Sequence, residues 1–365
     1  MGKLTAPNIS VTFTELGISA ITRGSKGTVA IIVRDAGKIA PFAITLASQI
    51  PDGLGVANQN YIRRAFTGYI DPPKKVIVYV APERAVDDEP DTDEKLDEAL
   101  AYMATQDFDY LVGPPDCTAA EADAIASWVK SMRVMACVKY KAVLPNHEAD
   151  NYALINFIGE DMTAGDVVYT TAEYCSRIAG LLAGTPMKIA ATYAPLPELS
   201  DVKRLTREEQ DEAVGAGKLI LVWDGRKVKA SRAVNSFVTT VDGMGDSFKK
   251  IKIVEIMDLI RTDITATAED SYIGKYANSY DNKLLLITAI RGYFQGLERD
   301  GLVQPGYTVD IDVEAQEQYL TGKGIDTGGM SEQEIREADT GTHVFILIRC
   351  KILDAIEDID IGIWI

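Results

Sequence analysis

The sequence predicts a mixed α/β fold, and three observations lead to it. Apolar, β-branched runs at 28–33 (TVAIIV) and 75–80 (KVIVYV) are typical of strands that are covered on both faces. From about residue 98 to residue 240, strands alternate with single helices, which favours a parallel or mixed sheet with helices on its faces. Capping boxes, in which Glu follows Ser or Thr by three residues, open three predicted helices, after Thr118, Thr206 and Ser331.

The elements of the first 240 residues follow from apolar runs and from the residues that stop them. Gly113-Pro114-Pro115 ends a short strand at Leu111-Val112, and Gly184 ends a helix at 172–182. The acidic stretch at 83–98 is interpreted as a solvated linker that enters a helix, and the alternative is a cation site. The other predicted elements are strands at 134–138, 153–158, 187–191 and 218–223, and helices that begin near Leu96, Thr118 and Thr206.

The pattern changes after residue 242. A helix predicted at 248–260 is apolar on most sides, which indicates that it is largely buried. A second helix covers 282–299, and Gly301 follows it as a C-cap. Two strands are predicted near the end of the chain, at 343–349 and in the period-two segment 357–365.

Composition restricts the class of protein. The 365 residues predict two or three domains, and a chain of this size forms a full core without disulfides or a structural metal. The formal net charge of −17 argues against a nucleic-acid binder and against docking on an anionic membrane, because both need a basic surface. No secretory signal or membrane span is predicted.

Four scattered cysteines predict buried, reduced thiols in a protein made in a reducing cytoplasm: Cys117, Cys137, Cys175 and Cys350.

The sequence contains no recognisable catalytic or metal-binding constellation. Its two histidines, His147 and His343, have no second ligand at zinc spacing, and G-x-S-x-G is absent. Gly215-Ala216-Gly217-Lys218 leaves a helix and enters a strand, which is the reverse of a phosphate-binding loop. We therefore predict neither an enzymatic activity nor a metal, cofactor or small-molecule substrate.

Both ends of the chain carry strand patterns, although termini usually fray. Near the start, Ile9, Val11 and Phe13 alternate with polar residues. At the other end, one face of an extended chain carries Ile359, Ile361, Ile363 and Ile365. These segments either complete the sheet of their own chain or are added to the sheet of a neighbouring chain. The pattern does not decide between the two.

One part of the sequence resembles a known family. The motifs Tyr272-Ile273-Gly274-Lys275, Asn278, Tyr280-Asp281-Asn282-Lys283 and 296–301 (GLERDG) resemble the C-terminal domain of phage tail sheath proteins. The likeness is greatest to the compact sheaths of phages and phage-tail-like bacteriocins of Gram-positive bacteria. It extends to 27–30 and to 111–115, and so covers most of the chain.

The resemblance implies a domain organisation. It implies a central α/β domain of subtilisin-like topology without a catalytic triad, a C-terminal α+β sheath domain, and extended arms at both ends. The predicted boundaries are 1–22 for the N-terminal arm, 23–90 for the first part of the body, 91–241 for the subtilisin-like domain, 242–352 for the sheath domain and 353–365 for the C-terminal arm.

The resemblance also implies a function. The chain is expected to polymerise helically, in stacked rings, around a tail tube, and to contract and drive the tube through a bacterial envelope. Expected partners are further copies of the chain, the tube protein, and baseplate and tail terminator proteins. The expected location is a virion or tail-like particle assembled in the host cytoplasm. The alternatives are another structural tail component, such as a tube or baseplate protein, and an α/β enzyme of unrecognised chemistry.

Two sets of residues are predicted to make contacts between subunits. Residues from about 354 to 365 are expected to form an exchanged strand, with the N-terminal strand pattern supplying a second edge. Lysines of the predicted sheath domain are expected to face the tube, and the alternative is that they merely solvate a helix face. These lysines are Lys249, Lys250, Lys252, Lys275 and Lys283.

Overall fold

The computed structural model of this chain describes residues 20–22, 24, 26–84 and 94–364. Its described residues form two compact units. The sheet unit comprises Arg23–Thr262, Asp300–Gln304 and Ile352–Ile365, and the helical unit includes Asp263–Arg299 and Pro305–Lys351. The N-terminal strand pattern, the acidic stretch at 85–93 and Ile365 lie outside the described residues.

The regular elements are numbered in chain order. The strands are β1 (Thr28–Arg34), β2 (Phe42–Ile44), β3 (Lys75–Ala81), β4 (Tyr110–Val112), β5 (Lys141–Pro145), β6 (Leu154–Ile158), β7 (Met162–Ala164), β8 (Val167–Tyr169), β9 (Lys218–Trp223), β10 (Val228–Ala230), β11 (Thr308–Ile311) and β12 (Ile346–Arg349). The α-helices are α1 (Val56–Ala65), α2 (Glu94–Met103), α3 (Ala119–Met135), α4 (Thr171–Ala183), α5 (Arg207–Gly215), α6 (Ile251–Thr267), α7 (Tyr280–Arg299), α8 (Val313–Gly322) and α9 (Glu332–Glu337).

The sheet unit is built on an eight-stranded sheet with the order β10-β9-β6-β5-β4-β1-β3-β2. Its six inner strands are parallel to one another. The edge strands β2 and β10 are antiparallel to their neighbours. The predicted mixed α/β fold with a parallel-rich sheet is confirmed. Because β1 and β3 lie in the same sheet as β4, residues 23–90 share one compact unit with the segment that follows them.

The central strand β1 shows how both faces of the sheet are covered. Val29, Ile31 and Val33 belong to one apolar cluster, which also holds residues of α1 and α4. Ala30 and Ile32 belong to a second cluster, with residues of α2 and α3. All five side chains are fully buried. This explains why the run is apolar at every position instead of alternating.

Local stop and start signals are confirmed at the helix ends. The hydroxyls of Thr118, Thr206 and Ser331 accept hydrogen bonds from the backbone N–H three residues on, at the N-termini of α3, α5 and α9. Gly184 caps α4, and Gly301 has a φ of +70° just after α7. Each cap depends on residues within a few positions in the chain, so the helix end can be predicted from the sequence alone.

Two predicted strands of the sheet unit are wrong. Val134 and Met135, at the start of the predicted strand 134–138, instead form the exposed last turn of α3, and the strand starts later, at Lys141. The segment 187–191 consists of turns, with Ile189 N–H donating to the Pro186 carbonyl at 3.1 Å. A short apolar run has no periodicity that separates a strand from a helix end or a buried turn.

The helical unit contains a two-stranded antiparallel sheet. β11 and β12 pair from Thr308 opposite Arg349 to Ile311 opposite Ile346, and within the described chain each strand has one neighbour. The Arg291 guanidinium of α7 donates to the Val309 carbonyl at 2.7 and 3.1 Å, which holds the helix against β11. The observed strand β12 is shorter than the predicted strand 343–349. Among the described residues, the outer edge of β12 has no strand neighbour.

Two of the four cysteines contradict the prediction of buried thiols. Cys175 is buried and Cys117 is partly buried, but Cys137 and Cys350 are exposed. All four are free thiols. Cys137 follows the exposed end of α3 and Cys350 follows the edge strand β12, so both apolar runs that suggested burial reach the surface.

Candidate functional site

The residue types that most often bind metals lie apart from one another in the described structure. They contain no group of three or more His, Cys, Asp or Glu side chains that could hold a metal ion. His147 contacts the exposed Asp123 at 3.3 Å, and burial lowers the pKa of its imidazole. His343 stacks on Phe345 in the helical unit. In the part of the chain that the structure describes, no helix is long and apolar enough to span a membrane.

The C-terminal segment is held by its backbone where it enters the sheet unit. Ile352 forms a β-bridge with Val303, and the Leu353 N–H donates to the Leu302 carbonyl at 2.9 Å. From Asp354 onward, the contacts are made by side chains. The first is an ion pair between Asp354 and Lys250 at 3.7 Å.

Glu357 is the centre of these side-chain contacts. Its carboxylate side chain is only 6% exposed. It accepts hydrogen bonds from the Thr192 hydroxyl and from the Lys250 ammonium, and it lies 3.5 Å from the Arg232 Nε. Asp358 pairs with the other side of the Arg232 guanidinium. We call this group the Glu357 anchor: Asp354, Glu357 and Asp358 with Thr192, Arg232 and Lys250.

Beyond the anchor, the chain becomes exposed and loses regular secondary structure. Residues 359–364 are neither helix nor strand. The three described isoleucines of the period-two face, Ile359, Ile361 and Ile363, are 71%, 78% and 83% exposed, and Trp364 is 98% exposed. We call residues 359–365 the distal arm. The strand predicted at 357–365 is therefore not formed by residues 357–364, and the described residues of the chain leave these isoleucines uncovered.

The five predicted tube-facing lysines differ in exposure and in their partners. Lys249 is part-exposed and pairs with Asp246 at 2.9 Å, and Lys275 is exposed. Lys250 belongs to the Glu357 anchor. Lys252 and Lys283 are 5% and 3% exposed, which contradicts an outward-facing position for these two, and burial lowers the pKa of both ammonium groups. Lys283 Nζ instead donates to Gln316 Oε1 at 3.4 Å and to the Ala338 carbonyl at 3.3 Å.

A buried charge cluster in the sheet unit had no sequence signal. Asp258, on α6, accepts hydrogen bonds from Arg133 at 2.6 and 3.0 Å and from Lys141 at 3.0 Å. One turn earlier, Glu255 pairs with Lys26 at 2.5 Å and accepts from the Tyr110 hydroxyl. Burial by itself raises the pKa of Asp258, but Lys141 and Arg133 outweigh it and hold this pKa below its usual value. The cluster fixes the first turns of α6 on the sheet.

The fold is that of a mixed α/β protein. Its most distinctive surface feature is the distal arm, an exposed apolar segment that follows the Glu357 anchor in the chain. Comparison with known proteins agrees with this class. Residues 90–236 match the family model of the phage tail sheath protein central domain, and residues 244–364 match that of the phage tail sheath C-terminal domain. A tail sheath protein of Clostridium phage phiCD119 is 37% identical over 361 residues, which are 98% of each chain. The chain belongs to the phage tail sheath protein family.

Solved structures share the fold at low sequence identity. A sheath tail protein from Desulfitobacterium hafniense has a TM-score of 0.70 at 17% identity, covering 84% of this chain and 94% of that one. One from Listeria innocua has a TM-score of 0.66 at 16% identity, covering 91% and 96%. The helical sheath of the anti-feeding prophage in its contracted state has a TM-score of 0.65 at 16% identity, covering 99% and 98%.

Proposed function

We propose that this chain is the subunit of a contractile tail sheath, in a phage or a phage-tail-like particle. It polymerises helically around a tail tube in the host cytoplasm, and its contraction drives the tube through a bacterial envelope. Family membership supports the sheath assignment, and two structural neighbours are described as contracted sheaths. Packed interfaces hold discrete states rather than deforming continuously, so an extended lattice can store the energy of contraction.

The observation that carries the proposal is the distal arm. Its exposed isoleucines and Trp364 form a short apolar segment that follows directly on a buried carboxylate. Large exposed apolar side chains that occur together mark an interaction surface. Because their spacing has period two, the segment fits a strand with one apolar face, and the partner it needs is the edge of a sheet.

The helical unit of a neighbouring copy offers such an edge. The edge strands of the eight-stranded sheet, β2 and β10, have three residues each, and Pro195 already bridges the outer side of β10 at Lys229. β11 and β12 have four each, and a two-stranded sheet is marginally stable in water. The Val309 carbonyl of β11 already accepts from Arg291, so the edge left for a new strand is that of β12. Adding a strand to β12 would satisfy backbone groups and extend this small sheet. We therefore propose that the distal arm of one subunit pairs with this sheet in the next.

The function is tested by electron microscopy of the purified chain, alone and with the tube protein of the same particle. We expect hollow sleeves on the tube, because each arm links two subunits and many weak links act together. Thin rods formed by the chain alone would indicate a tube protein instead. Particles that carry the chain only at one end would indicate a baseplate component, and either result would contradict the proposal.

Contacts to the tube are proposed for the two lysines of the predicted set that remain accessible and outside the anchor, Lys249 and Lys275. The double variant Lys249→Glu/Lys275→Glu is expected to bind the tube more weakly, by about thirtyfold or less, since two exposed ion pairs contribute about 0–1 kcal/mol each. Co-sedimentation with tubes at low and high salt measures this. Charge reversal at the exposed Lys188 and Lys203 is the matched control. Equal binding by both double variants would refute tube contact at Lys249 and Lys275.

A further inference from the structure

The Glu357 anchor divides the predicted C-terminal arm into two parts with different contacts. Residues 352–358 are attached to their own sheet unit, and residues 359–364 are exposed. These contacts favour an exchanged strand shorter than the expected 354–365, because Asp354, Glu357 and Asp358 already have partners within the chain. Within the described C-terminal segment, residues 359–364 remain exposed and available to a neighbouring subunit.

The attachment between 354 and 358 is made by charges and not by apolar burial. Ile356, the large apolar side chain of this stretch, is 86% exposed. The carboxylate of Glu357 is nearly inaccessible and has three polar partners. Hydrogen bonds to charged groups are among the stronger ones in proteins, and salt screens a buried pair much less than an exposed one.

The three partners of Glu357 come from separate parts of the sheet unit. Thr192 lies in the turns after α4, Arg232 lies just after β10, and Lys250 lies just before α6. The Thr192 hydroxyl also accepts a hydrogen bond from the Ala233 N–H at 3.0 Å, which ties two of these segments together. A pull on residue 359 is thus opposed by several segments at once.

We propose that the Glu357 anchor is the mechanical attachment point of the arm, at which a pull by a neighbouring subunit on the distal arm is transferred to the sheet unit. This inference rests on the proposed function, because the pull arises only in an assembled sheath. Glu357 acts as a positioning residue: it sets where the distal arm leaves its subunit and keeps residues 353–358 from being drawn out with it.

The test compares two variants that each remove one negative charge with little change of shape. Glu357→Gln changes the anchor, and Asp360→Asn, in the exposed distal arm, is the matched control. Hydrogen exchange of the purified chain is expected to speed up at the Leu353 amide, which donates to the Leu302 carbonyl where the segment enters the sheet unit, by about ten- to a hundredfold in Glu357→Gln only, the range for losing a charged hydrogen-bonded pair. Unchanged exchange in β1 and β9 shows that the fold is intact.

Assembly provides the second measurement. Sleeves of Glu357→Gln are expected to break into shorter pieces than wild-type sleeves under the same brief sonication, and Asp360→Asn sleeves are expected to match wild type. If Glu357→Gln fails to fold, Arg232→Gln weakens the same anchor from the other side and should give the same two results. Exchange and fragment lengths equal to those of Asp360→Asn would overturn the inference.

A third variant separates this inference from the proposed function. Deleting 359–365 leaves the anchor intact, so the Leu353 amide should remain protected while sleeves are lost. Sleeves formed by the deletion variant would contradict strand exchange by the distal arm. Fast exchange of the Leu353 amide in that variant would contradict the anchor, because residues 353–358 would then depend on the distal arm instead of holding it.

Discussion

Deletion of the distal arm, residues 359–365, is expected to abolish sleeve formation and to leave a folded, soluble monomer. The described part of this segment has no strand partner among the described residues, and its isoleucines are 71–83% exposed, so the fold loses little when they are removed. Electron microscopy and circular dichroism of the same preparation measure the two outcomes. Deletion before Asp354 is less informative, because it also removes Glu357 from its buried site.

The energy of a single link explains why the effect is large only in a lattice. Burying the three described isoleucines contributes about 5–9 kcal/mol, and a few new backbone hydrogen bonds add about 1 kcal/mol each. Ordering the seven residues of the arm costs about 10 kcal/mol. One arm is thus close to neutral, and two isolated subunits hardly associate, whereas a lattice engages every arm at once.

A matched control removes exposed apolar surface elsewhere. Val134 and Met135 are 80% and 83% exposed at the end of α3. Val134→Ser/Met135→Ser is expected to assemble normally. These two residues lie in the last turn of a helix, so they have no period-two pattern and cannot pair with the edge of a sheet. Sleeves from the arm deletion, or unfolding of its monomer, would show that the segment serves its own subunit.

The second large effect is expected at Asp258, where Asp258→Ala should destabilise the sheet unit by about 3–5 kcal/mol. The substitution leaves Arg133 and Lys141, which are 7% and 3% exposed, without their shared carboxylate. Urea unfolding followed by tryptophan fluorescence measures it, because Trp128 of α3 stacks on Tyr140 beside the cluster. Asp211→Ala, which breaks an exposed α5 pair with Arg207, is the control and should cost about 0.5 kcal/mol or less.

The same carboxylate gives a pH dependence with a defined sign. Because the folded pKa of Asp258 lies below its unfolded value of about 3.9, its contribution is fully present above about pH 4 and is lost as the pH falls through the folded value. Wild type should therefore lose more stability between pH 5 and pH 3 than Asp258→Ala does. Parallel losses in the two proteins would mean that Asp258 is not stabilised by its partners.

The sequence determined the parts of this protein that depend on near neighbours in the chain. The runs of β1 and β3, the three capping boxes and the amphipathic pattern of α7 all predicted the observed elements. Each follows from hydrogen bonds or side-chain contacts within a few residues, and such patterns can be read directly. The motifs at 272–301 carried the family resemblance. The period-two isoleucines likewise identified the C-terminal segment as the unusual surface.

Only the tertiary structure decided which charges are buried and where the arm begins. Lys283 and Lys250 look alike in the sequence, but one is enclosed with Gln316 and the other pairs with Glu357, 107 residues away. The run at 134–138 was apolar enough for a strand, yet α3 carries it to the surface. Burial and ion pairing depend on which distant segments fold against a residue, and a charge run or a short apolar run carries no information about those segments.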